Sequence, residues 1–328
     1  MNKITFDGPF KEVINLFIKY KQSQNYKYET GMVLLKQMND YFIKNNITKI
    51  EITEDIAINF AKRKNSYESN NTIYKRQHMI KEFALFLKSL GYSNIYVYNF
   101  DYIDSTTTDF EQYIYTDEDI KKLFKYIENN DLEKEFNIKD TNFNNNFRLM
   151  IKLFYCCGLR RSECLNLKIN DVDIDNGTIT IKESKGNCSR VLPVSDSLLL
   201  DLKEHINNIN MLENDYVFKK NNGKQYDKHF TDTYKKVLKR LNIVTRTGKI
   251  PRLHDLRFTY AVKALEKMQQ EGQDIYCTLP ILSVYMGHKN IKSTEYYLKY
   301  TENTRNIIRS KIQDFNSDVF LKGVNNNE

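Results

Sequence analysis

Three short segments of this 328-residue chain carry side chains suited to handling a phosphate. Gly158-Leu159-Arg160-Arg161-Ser162-Glu163 sets two adjacent guanidiniums beside a carboxylate. Leu253-His254-Asp255-Leu256-Arg257 places a histidine three residues before an arginine, so the two share one helix face. Met286-Gly287-His288 is followed nine residues after its histidine by Tyr297. Lys185 stands between the first two segments, at a turn. Guanidinium forks match the geometry of phosphate oxygens and keep their charge at every relevant pH. Imidazoles can donate to the remaining oxygens or manage a proton. A phenol titrates near pH ~10, so a tyrosine nucleophile must lose its proton beside such cations. Each residue alone also has a plainer reading. Arg160 could be a surface cation at a helix start, and one tyrosine among 23 usually packs. Arg161 competes with Arg160, Lys182 with Lys185, and Tyr296 and Tyr300 with Tyr297.

The elements that must position these residues are mostly helices. In the first hundred residues Phe10, Val13, Ile14, Phe17 and Ile18 recur at helical spacing, as do Leu34, Leu35, Met38, Tyr41 and Phe42. Thr53 is a candidate cap for a third helix carrying Ile56, Ile58 and Phe60. A fourth is expected over 72–90, with Gly91 as the terminating glycine. Residues 92–115 lose this periodicity and read as a linker, after which Thr116 caps a helix whose first turn is acidic. The span 147–157 is a strongly apolar helix ended by Gly158, and Ser162 can cap the short helix that follows. Asn176-Gly177 is a strong hairpin turn between Val172-Asp173-Ile174 and Thr178-Ile179-Thr180-Ile181. A second turn at Lys185-Gly186-Asn187 leads into Arg190-Val191-Leu192-Pro193-Val194, completing a small antiparallel sheet. Beyond Asp196 helices are expected, apart from a strand at Tyr216-Val217-Phe218. The fold class is therefore mainly α with a small antiparallel β-sheet (α+β), in a helical domain over 1–95, a linker over 96–115 and a larger domain over 116–328.

Composition narrows the function. The formal charge is +8, mean hydropathy is −0.62, and no run of 18 apolar residues exists, which argues for a globular chain away from membranes. The first ten residues lack a basic-then-apolar leader, so a cytoplasmic location is expected. Five scattered cysteines with no C-x-x-C spacing argue against a disulfide framework or a structural zinc site. Residues 1–100 hold 15 basic and 9 acidic side chains, whereas 101–120 hold seven acids and no base. Two basic lobes flanking a short acidic segment suit a protein that grips a polyanion from two sides. Lys75 and Arg76 in the first lobe, and Lys235, Lys236, Lys239 and Arg240 in the second, are candidates for phosphate contacts. His78, His205 and His229 read as surface residues.

Taken in order along the chain, the three segments, the turn lysine and the spaced tyrosine resemble the tyrosine recombinase (phage integrase) family. That family's pattern is G-L-R-x-S-E, a hairpin lysine, H-x-L-R, L-G-H and a tyrosine nine residues after that histidine; Met286 stands here for the leucine. The likeness to the catalytic domain covers about residues 113–328, and the first hundred residues are similar to the family's core-binding domain by pattern and position. Phe258 follows Arg257 where the family often has histidine, and the linker is acidic rather than basic. The resemblance implies an integrase-type catalytic domain and a site-specific DNA recombinase. Its catalytic residues would be Tyr297 as nucleophile, Arg160, Arg257, His254 and His288 around the phosphate, Lys185 as acid for the leaving hydroxyl, and Glu163 in support. The implied route is a 3′-phosphotyrosine intermediate needing neither metal, ATP nor another cofactor. The implied partners are a specific duplex DNA site, three further copies of the chain, and accessory DNA-bending or directionality proteins, with the 304–320 helix exchanged between protomers. Integration, excision, resolution and transposition are not separated by these residues. Two other readings remain open at this stage: strand relaxation like that of type IB topoisomerases, and a DNA-binding protein without catalysis.

Overall fold

The computed structural model describes residues 4–24, 28–98, 111–182, 189–207, 215–226 and 228–301, together with 306, 309, 310 and 312. Lys185, the 99–110 part of the expected linker and nearly all of the 304–320 segment lie outside these described residues. The chain divides into two compact units, Met1–Phe110 and Glu111–Glu328.

The first unit is helical: α1 (Lys11–Ser23), α2 (Glu29–Lys44), α3 (Glu54–Ala61) and α4 (Asn70–Ser89). The Thr53 hydroxyl accepts from Ile56 N–H as a helix cap should, while Ser69 caps α4 two residues ahead of the expected start. Apolar faces of α1, α2 and α4 converge on an aromatic core in which Phe10 meets Phe42 at 4.3 Å and Phe17 meets Phe83 edge-on at 5.4 Å. Ile95, past the point where helical periodicity is lost, is buried here and bridges Ile52.

Arg76 corrects the expectation that it contacts phosphate. It is fully buried on α4, its two Nη atoms reach both carboxylate oxygens of Glu68 at 2.9 and 2.7 Å, and Nη2 also donates to the Lys62 carbonyl. Its place on the helix, three residues before Met79 and seven before Phe83, puts it on the inner face, where a cation survives only when paired. Lys75, one residue away, is exposed.

In the second unit, α5 (Asp117–Asn129) opens on a capping box in which Thr116 and Asp119 satisfy each other's backbone N–H. The short α6 (Leu132–Glu135) leads to α7 (Phe143–Cys156), the apolar helix around which α5, α9 (Asp196–Asn207) and α11 (Leu253–Gln270) pack. After α8 (Arg161–Leu165) the chain forms a three-stranded antiparallel sheet in the order β1 (Val172–Asp173), β2 (Thr178–Ile181), β3 (Arg190–Pro193). The remaining helices are α10 (Lys228–Arg240), α12 (Ile275–Met286) and α13 (Lys292–Leu298).

Three local expectations change. Tyr115 is not linker: its ring is fully buried, its N–H donates to Thr259 Oγ1, and its hydroxyl lies 2.6 Å from that of Tyr234. Tyr216-Val217-Phe218 makes one isolated bridge through Tyr216 rather than a strand, although Val217 and Phe218 are fully buried. His205 is buried rather than on the surface, with Nε2 3.1 Å from the Val217 carbonyl.

Arg76→Ala should lower the unfolding free energy by about 2 kcal/mol, because it empties a buried site and takes the donor from the Lys62 carbonyl and the partly exposed Glu68 carboxylate. A surface cation would cost under about 0.5 kcal/mol, so urea denaturation separates the two assignments.

Candidate functional site

At the end of α7 the backbone turns through Gly158, which has a φ of +58°. A side chain there would also strike the Tyr260 ring, since a Cβ would fall 2.6 Å from Tyr260 Cδ1. This turn aims Arg160 at the start of α8. The expected cap, Ser162, is not used. Instead the Glu163 carboxylate accepts from the Arg160 N–H at 2.8 Å, while Arg160 Nη1 bonds the other carboxylate oxygen at 2.6 Å. Glu163 is therefore both a helix cap and a counter-ion.

Arg257 comes from the first turns of α11, whose N-terminus is held by Asp255 accepting from the Arg252 N–H. Its side chain is buried against the same place: Nη1 donates to the Gly158 carbonyl at 2.5 Å and Nη2 to the Met286 carbonyl at 2.6 Å. α12 ends there because Gly287 adopts a φ of +63°, which turns the chain toward His288. Arg160 Nη2 donates to the Gly287 carbonyl at 2.6 Å. The structure thus brings Arg160, Arg257, Glu163 and His288 together.

His288 Nε2 lies 3.2 Å from Arg257 Nη2 and Nδ1 lies 2.8 Å from Thr294 Oγ1. A guanidinium can only donate, so Nε2 accepts and Nδ1 carries the proton, a tautomer assigned from these partners. Desolvation first, then Arg257, Arg160 and Arg190, hold His288 down to about 4. His254 stands three residues before Arg257 and reaches solvent; desolvation and then Arg257, Arg252 and Arg160 hold it below its ordinary value too. Tyr297, on α13, is 5% exposed, stacks on the His288 ring at 6.0 Å and meets Phe258 edge-on at 4.9 Å. Burial raises its phenol above the ordinary value, against an opposing pull from Arg257. Burial likewise lowers Arg257, to about 10, which leaves it charged at neutral pH.

The competing residues fall elsewhere. Arg161 is exposed on α8. Lys182 is paired to Asp171 at 2.6 Å. Tyr296 and Tyr300 both donate to Gln112 Oε1 at 2.7 Å; Tyr296 is exposed, and Tyr300 packs against the Phe258 core. Lys235, Lys236, Lys239 and Arg240 are exposed on α10; Arg240 Nε is 3.3 Å from Glu135, and Lys236 lies over the Phe136 ring. Among the described residues no group of three His, Cys, Asp or Glu side chains is arranged to hold a metal ion, and no helix is long and apolar enough to cross a membrane.

Sequence reasoning missed Arg190 and Thr294. Arg190 opens β3 and forks both Glu163 oxygens, Nη1 at 3.0 Å and Nη2 at 2.9 Å, while Nε donates to the Tyr285 carbonyl at 2.7 Å. The strand alternation held the signal: Arg190 pairs with the buried Ile181 and shares the inward face with Leu192, so a charge there demands a buried partner.

Residues 115–304 match the phage integrase family. Similar curated proteins include the tyrosine recombinase XerA of Pyrococcus furiosus, 29% identical over 57% of this chain and 57% of that protein. The XerA of Thermococcus kodakarensis is 33% identical over 47% of this chain and 51% of that protein. The chain thus spans about half the length of the curated relatives it matches. Among solved structures, the XerH site-specific recombinase bound to a palindromic difH substrate in a post-cleavage complex is similar over 85% of this chain and 78% of that one, with TM-score 0.63 and 19% identity. The Tn1549 transposon integrase in complex with circular intermediate DNA is similar over 92% of this chain and 98% of that one, with TM-score 0.61 and 17% identity. At these identities the likeness is one of fold.

The carboxyl of Glu163 is pushed up by burial, but the hydrogen bonds from Arg190 and the Arg160 N–H, and both guanidinium charges, outweigh this and hold it at about 2 against an ordinary 4.5. His288 is likewise depressed from 6.5 to about 4. For both groups the unfolded chain binds the proton more readily, so their contribution to stability is present at neutral pH and lost on acidification. His288→Gln should flatten the pH dependence of unfolding free energy between about pH 6.5 and 4, and Glu163→Gln should flatten it between about 4.5 and 2. Urea titrations across pH check both; wild-type slopes in the variants would refute the assignments.

Proposed function

This chain belongs to the phage integrase family, and from that premise we propose that it is a tyrosine-type recombinase that cuts and rejoins duplex DNA at specific sites. The observation that carries the reading is the charge of the site. Arg160, Arg190 and Arg257 surround one carboxylate, Glu163, with side-chain exposures of 19, 5, 2 and 1%. Such an excess of buried cationic charge is costly unless an anion joins it, and a phosphodiester carries one negative charge. Tyr297 stands beside that charge on the stacked face of His288.

In the proposed reaction the Tyr297 hydroxyl attacks the scissile phosphorus and gives up its proton to the acceptor nitrogen of His288, the ring stacked beside it. The new bond is tyrosine Oη to phosphorus, and the bond that breaks is phosphorus to the 5′ oxygen of the next nucleotide. The DNA is left joined to the protein as a 3′-phosphotyrosine. Lys185 supplies the proton that the departing 5′ oxygen needs. Arg160 and Arg257 receive the charge that develops on the non-bridging oxygens, with His254 as a further donor; His288, whose Nε2 accepts, serves the nucleophile's proton instead. Preorganised donors of this kind are each worth about 10²–10³ in rate. Because the phosphotyrosine conserves the energy of the phosphodiester, a 5′ hydroxyl from another strand can attack it and reseal the DNA without ATP or a metal.

Lys75 on α4 and Lys235, Lys236, Lys239 and Arg240 on α10 are proposed to contact DNA phosphates; their exposure supports this. Four protomers on two sites are proposed for the exchange of strands. The apolar side chains of Tyr276, Ile281 and Val284, exposed along α12, support docking of a neighbour's 304–320 segment there.

The test uses a library of nicked duplexes with randomised arms, in which the cleaved end diffuses away and traps the covalent adduct. Wild-type protein should leave DNA joined to Tyr297, and Tyr297→Phe should leave none. Equal trapping by both proteins would move the nucleophile to another residue. No adduct with either would favour a non-catalytic DNA-binding protein, and relaxation of plasmids lacking any selected site, without recombinants, would favour a topoisomerase.

A further inference from the structure

α12 ends in three consecutive carbonyls that have no helical partner, and three arginines from three elements take them one each. Arg190 of β3 bonds the Tyr285 carbonyl at 2.7 Å, Arg257 of α11 that of Met286 at 2.6 Å, and Arg160 at the head of α8 that of Gly287 at 2.6 Å. The same three turn toward Glu163. Arg160 Nη1 is 2.6 Å from Oε1, Arg190 forks both oxygens, and Arg257 Nη1 is 3.8 Å from Oε2.

Arg190 differs from Arg160, whose side chain is 19% exposed: its own is 5% exposed, and its Nε, Nη1 and Nη2 are each engaged by a protein acceptor. It also sits tightly: a Cβ on Gly287 would fall 2.7 Å from its Nη1. We propose that Arg190 is a positioning residue for strand cleavage, holding Glu163 and the 285–288 turn in register so that Arg160 and His288 face one phosphate. This rests on the recombinase reading above.

The physical reason is competition for Glu163. With Arg190 in place, each carboxylate oxygen accepts one bond from its fork and one from Arg160, whose side chain takes Oε1 and whose backbone N–H takes Oε2. Without it, a buried carboxylate would seek the remaining guanidiniums and neutralise charge needed by the phosphate. The Tyr285 carbonyl would lose its donor as well, loosening the turn that presents His288. Lysine cannot replace it, because one ammonium cannot fork two oxygens and also reach a carbonyl on the other side. Arg190 opens β3 five residues after Lys185 in the sequence.

The experiment measures single-turnover cleavage and non-covalent affinity on a duplex selected by the wild-type protein. Arg190→Lys should cleave about 10²-fold more slowly, the scale of loss when reacting groups are misplaced by about an ångström. DNA affinity should stay within about threefold, since Arg190 touches no DNA. Glu163→Gln should lose a comparable factor, and the double variant should lose little more, because both act through one contact. Arg190→Lys, assayed below its own melting temperature with native near-ultraviolet circular dichroism, overturns the proposal if it cleaves within threefold of wild type. Should that variant be unfolded, Glu163→Gln decides: wild-type cleavage by it also overturns the proposal. Equal losses in affinity and cleavage would mean that Arg190 serves binding and not positioning. Wild-type protein that forms no adduct at all would instead refute the recombinase reading, and this proposal with it.

Discussion

Everything chemical in the second unit depends on one buried carboxylate. Glu163 is almost wholly enclosed, accepts from the guanidiniums of Arg160 and Arg190, and has Arg257 close by. Three guanidiniums converging on a small volume would repel one another, and a single carboxylate cannot neutralise all of them. The carbonyl end of α12 supplies further compensation, since its three last carbonyls point at the same cations and carry the negative end of the helix dipole. The cluster is thus held together by acceptors that balance it only partly, which keeps it both foldable and positive.

The fold surrounding this cluster can be read as a set of constraints on where each arginine originates. α7 is apolar enough to form the middle of the core, so whatever follows its last turn begins at a fixed depth, and Gly158 redirects the chain there. α11 lies against α7 and brings Arg257 to the Gly158 carbonyl. β3 supplies Arg190 from the inward face of the sheet. α13 then packs on α11 and α12, with Tyr297 in the small core formed by Phe258, Val262, Leu265, Leu282 and Met286. A phenol in such surroundings is reluctant to ionise, and Arg257, by its charge and a hydrogen bond, and the charge of Arg160 oppose that reluctance. The Tyr297 phenol therefore stays protonated until charge near it changes.

The first unit shows the same economy of buried charge for a different end. Arg76 and Glu68 are locked together beside an aromatic core, whereas Lys75 faces outward one residue away. Adjacent basic residues on one helix can thus have opposite fates, decided by the 100° between successive side chains rather than by composition.

Much was determined by local order along the chain. Apolar spacing marked the helices of both units, Thr53 and Thr116 marked two of their starts, and Asn176-Gly177 with its flanking alternation marked the sheet. The family resemblance made Arg160, His254, Arg257, His288 and Tyr297 the candidate site residues, and each of their motifs lies near a helix end. Other features depended on distant partners. The helical spacing of Arg76 from Met79 and Phe83 turns it inward, but only packing decides that Glu68 is its partner, and the break in periodicity after residue 92 concealed that Tyr115 is core, since its partners Tyr234 and Thr259 lie more than a hundred residues away. Arg190 lay in plain view on a strand, yet its role required Glu163 and the end of α12 to arrive at the same point. Residue types and spacing decide what a side chain can do; only the packed chain decides which acceptor it meets, because the desolvation that makes a buried charge consequential exists only after folding.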